Sequence, residues 1–182
     1  MTVAQQRGMQ GKLKPFDQSE HNTYDKIGKD AFMHFLNSNK KMIGLGFTTI
    51  ENSNAYGIDL LTLNQQGEVV HCWEIEVRHG NWQGHISFPF REINCIERKD
   101  YQWRRESEFV KRIPHPLASN YQVTYVQLNR ECTRAVCIAD GTILKHDLVP
   151  WTNRKSDGEF VRQVPITETV QYDLTRAPTY NN

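Results

Sequence analysis

A chain of 182 residues with 22 Lys and Arg against 21 Asp and Glu has a formal charge of +1, so no overall positive field steers it to nucleic acid. Its 38% hydrophobic and 24% charged residues suit one globular domain with an ordinary core. A run of about 18 apolar residues is lacking, which argues against a helical membrane span. Met1–Gly8 has no apolar stretch of the kind a signal peptide needs, and a cytoplasmic location is expected.

Residues 1–15 are rich in Gln, Gly and Lys and read as a flexible arm, followed by one domain over 16–174 and a frayed tail at 175–182. A helix is expected from about residue 19 to residue 38, because Tyr24, Ile27, Phe32, Phe35 and Leu36 recur near helical spacing. Lys40 to Gly46 then turns into a β-region. Ile58–Leu63 and Val69–Val77 are β-rich and flank Asn64–Glu68, which is turn chemistry, so they form a hairpin. Residues 78–92 read as a loop, and the charged stretch from 96 to 112 as at least partly helical. A second hairpin is expected from Tyr121–Leu128 and Thr133–Ala139, turned at Asn129–Glu131, with weaker strands at Ile143–Leu144 and Phe160–Val164. Cys72, Cys95, Cys132 and Cys137 show no Cys-x-x-Cys pairing. A structural zinc is not expected, and Cys72, Cys132 and Cys137 read as buried reduced thiols.

The chemistry concentrates on one strand. Residues two apart in a strand share a face, so Glu74, Glu76 and Arg78 project together while Trp73, Ile75 and Val77 face a core. Asp59 precedes them where the hairpin brings it alongside. Crowded carboxylates repel one another unless a cation neutralises them, and Mg²⁺ (or Mn²⁺) is the natural partner for such hard oxygen ligands.

Asp59 within Gly57-Ile58-Asp59-Leu60, followed by Glu76-Val77-Arg78, resembles the PD-(D/E)XK nuclease superfamily. The resemblance implies an α/β, restriction-endonuclease-like core, a mixed central sheet flanked by helices. It also implies a metal-dependent DNA endonuclease, an enzyme that hydrolyses phosphodiester bonds. In that superfamily an Asp and the Glu of Glu-x-Lys hold metal, the Lys orients or activates water, and the preceding helix often adds an acid. Carried onto this chain, the catalytic residues are Asp59, Glu74, Glu76 and Arg78. The metal ligands are Asp59, Glu76, Glu74 and Asp25, with Glu20 the other candidate for the helical acid. Arg78 departs from the pattern, because a guanidinium stays charged and cannot accept a proton, although it can grip a phosphate by two parallel hydrogen bonds. A second register gives Glu74-x-Glu76, and both registers retain Asp59 and Glu76. Phe88-Pro89-Phe90, Ile96-Glu97-Arg98-Lys99 and Val126–Ala135 further resemble a group of small phage-encoded proteins of this fold, which implies a host-cell cytoplasm and phage or host partners.

From Arg91 to Arg112 seven basic residues stand among five acidic ones, interleaved with Tyr101 and Trp103 and preceded by Trp82 and Phe88. Arg91, Arg98, Lys99, Arg104 and Arg105 are the candidate DNA contacts, with the aromatics as stacking partners. A solvated helix with internal ion pairs explains the same pattern. His79 and His85 read as loop residues, and His71 and His115 carry no functional signal. Three alternatives to an enzyme stay open: a hairpin with a polar outer face, an inactive nuclease fold that binds nucleic acid or protein, and a virion assembly protein. Many nucleases of this fold dimerise, so a homodimer is also expected as an option.

Overall fold

The computed structural model describes residues 18–53, 58–78, 80–96, 122–151 and 160–176, with the backbone alone at 18–22 and 41. Helix α1 (Gln18–Ser38) matches the expected segment. A short helix α2 (Lys40–Ile43) follows and stops at Gly44, whose φ of 109° lies in the left-handed region that glycine tolerates. Strands β1 (Thr48–Glu51), β2 (Leu60–Leu63) and β3 (Val69–Val77) form an antiparallel meander. Asn64 closes the β2–β3 turn, its Oδ1 accepting the Gln66 and Glu68 N–H groups, and Gly67 has a φ of 78°.

β4 (Glu92–Ile96) leaves this sheet, and β5 (Gln122–Leu128) returns to pair with β3 in parallel. β6 (Arg134–Ala139) completes the second expected hairpin. Asn129 is fully buried at its turn, its Oδ1 accepting from Thr133 and Arg134 N–H and its amide donating to the Gly84 carbonyl. Ile143–Leu144 is not a strand. The chain leaves β6 through Asp140-Gly141-Thr142 and coils into helix α3 (Asp140–Ile143), burying Ile143 and exposing Leu144. β7 (Leu148–Pro150), β8 (Phe160–Pro165) and β9 (Val170–Asp173) finish the chain.

The described strands make a six-stranded mixed sheet in the order β1-β2-β3-β5-β6-β9 and a three-stranded sheet in the order β4-β8-β7. The protein is therefore mixed α/β in three layers. One core cluster, including Cys72, Tyr125, Ile93 and Val164, lies on the face of the large sheet turned toward the small one. The other, including Phe32, Leu36, Trp73, Ile75 and Leu128, lies between the large sheet and α1. Alternation along β3 decides which residue goes where: Trp73 and Ile75 turn toward α1, Cys72 and Glu74 away from it.

Gly28 lets α1 approach closely. A Cβ there would stand 2.5 Å from Val77 Cγ2 and 3.3 Å from Leu128 Cδ1. Gly28→Ala gains about 1 kcal/mol of helix propensity but overpacks the contact at a cost of about 1–3 kcal/mol. A net loss of stability is expected in urea unfolding.

All four cysteines are free and buried, as expected for three of them. Burial pushes the Cys132 thiol up to about 11, helped by the Glu131 charge, and holds Cys137 higher still, so both stay protonated at neutral pH.

His71 has a larger role than its sequence context implies. It stacks on Trp73 at 3.9 Å, its Nε2 is 2.8 Å from Thr124 Oγ1, and burial lowers its pKa from 6.5 to about 4. The unfolded chain therefore takes up this proton first on acidification. The His71 contribution to stability is complete above the unfolded value and is lost as pH falls toward 4, amounting to at most about 3 kcal/mol. The urea midpoint should drop across that window, and His71→Asn should flatten the drop.

Candidate functional site

The last β2–β3 pair is Leu60↔Trp73, and β3 continues beyond it to Val77. The chain bends at Asp59, so β2 parts from β3 there and the end of β3 stands beside α1, a junction we call the notch. Two bonds fix Asp59 there. Its carbonyl accepts from Asn52 N–H at 2.9 Å, and its Oδ2 accepts from Ile75 N–H at 2.8 Å.

The other carboxylate oxygen meets a cation. Lys29 Nζ lies 2.9 Å from Asp59 Oδ1 and 2.8 Å from Asp25 Oδ2. Lys29 and Asp25 are four residues apart on α1, a spacing that places both on one face. Gly28, next in sequence, seats the helix close enough for Lys29 to reach the notch. The side chains of Lys29, Asp25 and Asp59 are 18%, 33% and 13% exposed, so the cluster meets solvent mainly at Asp25 and is nearly enclosed at Asp59. Burial alone would lower the Lys29 pKa, but hydrogen bonds and charge from Asp25 and Asp59 outweigh it and hold the ammonium above its usual range. Lys29 is thus a fixed positive charge between two carboxylates.

Glu74, Glu76 and Arg78 share a face, as expected, but it is not a solvated surface. Glu74 is 2% exposed, on the side turned toward the small sheet. Glu76 accepts a short hydrogen bond from the Tyr125 hydroxyl. Burial first, then the Glu76 charge, holds the Tyr125 pKa well above its usual range, so Tyr125 remains the donor. Gln127 donates to the Tyr125 oxygen at 2.8 Å and to the Asn94 carbonyl at 3.3 Å, and its own oxygen accepts from Arg78 Nε. The Arg78 guanidinium also lies 5.7 Å from the Phe88 ring centroid. This side of the hairpin is therefore not a plain solvated face: Glu74 is buried, and Glu76 and Arg78 are half-buried and bonded to Tyr125 and Gln127.

Of the four expected metal ligands, Asp25 and Asp59 both meet Lys29, Glu76 accepts from the Tyr125 hydroxyl, and Glu74 is buried. Among the described residues no group of three or more His, Cys, Asp or Glu side chains comes together to hold a metal. The cause is strand alternation combined with a second sheet over the Glu74 face. No family model, curated protein or solved structure matches this chain. Its chemistry must be read from the notch itself.

Of the candidate DNA contacts, Arg91 is exposed at the start of β4, whereas Arg98, Lys99, Arg104 and Arg105 lie outside the described residues, as do His79, Tyr101 and Trp103. Trp82 and Phe88 are not free to stack on bases. They are buried and pack edge to face at 5.1 Å, with Trp82 Nε1 donating to the Ile86 carbonyl. No described helix is long and apolar enough to cross a membrane.

Lys29, Tyr125 and Gln127 were not singled out in the sequence. A signal existed for Lys29, since Asp25 and Lys29 have ion-pair spacing on a helix. Tyr125 and Gln127 gave none, because they reach Glu76 and Arg78 through a parallel pairing between segments far apart in the chain.

Proposed function

We propose that this chain is a phosphodiesterase of nuclease type that cuts DNA at the Asp25–Lys29–Asp59 notch with a divalent cation, Mg²⁺ or Mn²⁺. The observation that carries the reading is the Lys29 ammonium 2.9 Å from Asp59 Oδ1. The resemblance implies a strand Asp, a helical acid and a lysine acting together, yet Arg78 stands where the lysine is expected. Lys29 offers that charge from the helix instead, with Asp25 as the helical acid. The helix α1 followed after α2 by the three-stranded meander β1–β2–β3, and the mixed sheet, also support a restriction-endonuclease-like core.

The donor set fits a hard cation. Asp25 and Asp59 are oxygen donors no farther apart than their two distances to Lys29 Nζ allow, and a cationic group already sits between them. Mg²⁺ commonly takes one or two protein carboxylates and completes its shell with water and phosphate. When bound, such an ion supplies an activated water and a polarised phosphate. This chain's own residues do the rest. The Ile75 N–H holds the Asp59 carboxylate in one orientation. Lys29, kept protonated, cannot take a proton from water; it stabilises negative charge developing on phosphate oxygens. Arg78 is engaged by Gln127, and in this reading Lys29 rather than Arg78 faces the phosphate. DNA as substrate rests on the superfamily resemblance, and a phage origin on the match at Phe88–Phe90, Ile96–Lys99 and Val126–Ala135.

One observation favours a second reading, a nuclease fold that binds without cutting. Lys29 already neutralises the carboxylates that would otherwise call for a metal. A calorimetric Mn²⁺ titration separates the two. Heat of binding in the wild type that disappears in Asp59→Ala supports the enzyme, and a wild type that takes up no Mn²⁺ supports the binding module.

A further inference from the structure

The face of the large sheet that carries α1 changes character along its strands. Under the helix it is apolar, with Leu60, Trp73, Ile75, Val126 and Leu128. Toward the other end of β3 the same face turns polar, because the positions in register there are Thr62, His71, Gln122 and Thr124. α1 does not cover this end. A trough of about 390 Å³ lies over it, walled by Phe47 on one side and by Tyr172 and Val170 of β9 on the other. The volume falls within the roughly 300–1,000 Å³ usual for small-molecule sites.

The lining combines two features. Aromatic rings supply flat surfaces: His71 lies on Trp73 with an interplanar angle of 19°, and Phe47 and Tyr172 stand at the sides. Hydroxyl and amide groups supply directional partners: Thr124 is 8% exposed and bonded to His71, and the exposed Gln122 is part of the lining. Thr62 is engaged twice, by Thr49 and by Trp73 Nε1, whereas Thr124 and His71 are bonded once, to each other, and each keeps a further polar site for an occupant beside Gln122. Among the described residues that line the trough there is no Asp, Glu, Lys or Arg. A charged ligand would lose its hydration there without gaining a counter-charge.

We infer that this trough is a binding site for a neutral planar heteroaromatic ring with a polar edge, of the nucleobase or nucleoside class. Stacking on aromatic faces accepts any base, and the short polar row set by Thr124, Gln122 and His71 orients its edge. The trough lies toward the far end of β3 from Asp59 and owes nothing to the chemistry there.

The test is ligand-observed and protein-observed NMR on the full chain with free purine and pyrimidine bases, their nucleosides, the matching 5′-monophosphates, and benzyl alcohol as an apolar ring. Bases or nucleosides should bind in the millimolar range or tighter and shift the His71 ring resonances, with the monophosphates binding no better. Val170→Trp places a large side chain at a position that is 53% exposed on the rim. It should abolish binding while leaving the melting temperature unchanged. Thr124→Val should weaken binding about three- to tenfold, the worth of one hydrogen bond. Absence of binding across the bases and nucleosides overturns the inference, as does affinity unchanged in both variants. Tighter binding of the monophosphates or of benzyl alcohol overturns its neutral, polar-edged character.

Discussion

Asp59→Ala is expected to abolish DNA cleavage and to destabilise the fold at the same time. The carboxylate accepts the Ile75 N–H and pairs with Lys29, and at 13% exposure little water is present to replace it. Removing one partner of a largely buried pair leaves an amide and an ammonium undersatisfied, at a cost of about 2–4 kcal/mol. Asp59→Asn distinguishes the two effects. Its amide oxygen can still accept from Ile75, but its amide nitrogen then faces the Lys29 ammonium, so only part of the stability should return, while the lost negative charge removes the cation site and cleavage stays down. Denaturation midpoints and cleavage rates measured on both variants check this. Full activity in Asp59→Asn would sink the assignment.

Lys29→Met is the second large effect, and its outcomes run in opposite directions. The variant keeps the length of the side chain and much of its packing but leaves Asp25 and Asp59 facing each other without their shared cation. Cleavage should fall roughly 100- to 1,000-fold, the usual loss for one group that stabilises a transition-state charge. Mn²⁺ affinity should rise, because the metal no longer competes with an ammonium for the two carboxylates. Were Lys29 purely a structural tether, cleavage would fall only in proportion to lost stability.

The parts of this architecture legible in the sequence are those set by neighbouring residues. The strand Val69–Val77 matches its expected limits because β-branched and aromatic residues fill it and Asn64 closes the preceding turn locally. Helix α1 was equally plain from its apolar spacing. Alternation correctly put Glu74, Glu76 and Arg78 on one face, but nothing local says what covers that face. The cover is the small sheet, in which β4 pairs with β8, segments separated by most of the second half of the chain. A second non-local pairing, β3 with β5, hid Tyr125 and Gln127, which bond to Glu76 and Arg78. The place of Asp59 beside β3 was legible because the hairpin fixes it locally. Its true partner, Lys29, depends on how closely α1 docks, which Gly28 decides.

The most direct test of the notch as a cutting site is a plasmid nicking assay in Mg²⁺ or Mn²⁺, run on the wild type beside Asp59→Asn and Lys29→Met. Metal-dependent conversion of supercoiled to nicked or linear DNA by the wild type, lost with Asp59→Asn and strongly reduced with Lys29→Met, is the predicted result. Failure of the wild type to cut duplex, single-stranded or branched DNA in either metal would contradict it, and so would cutting that both variants retain.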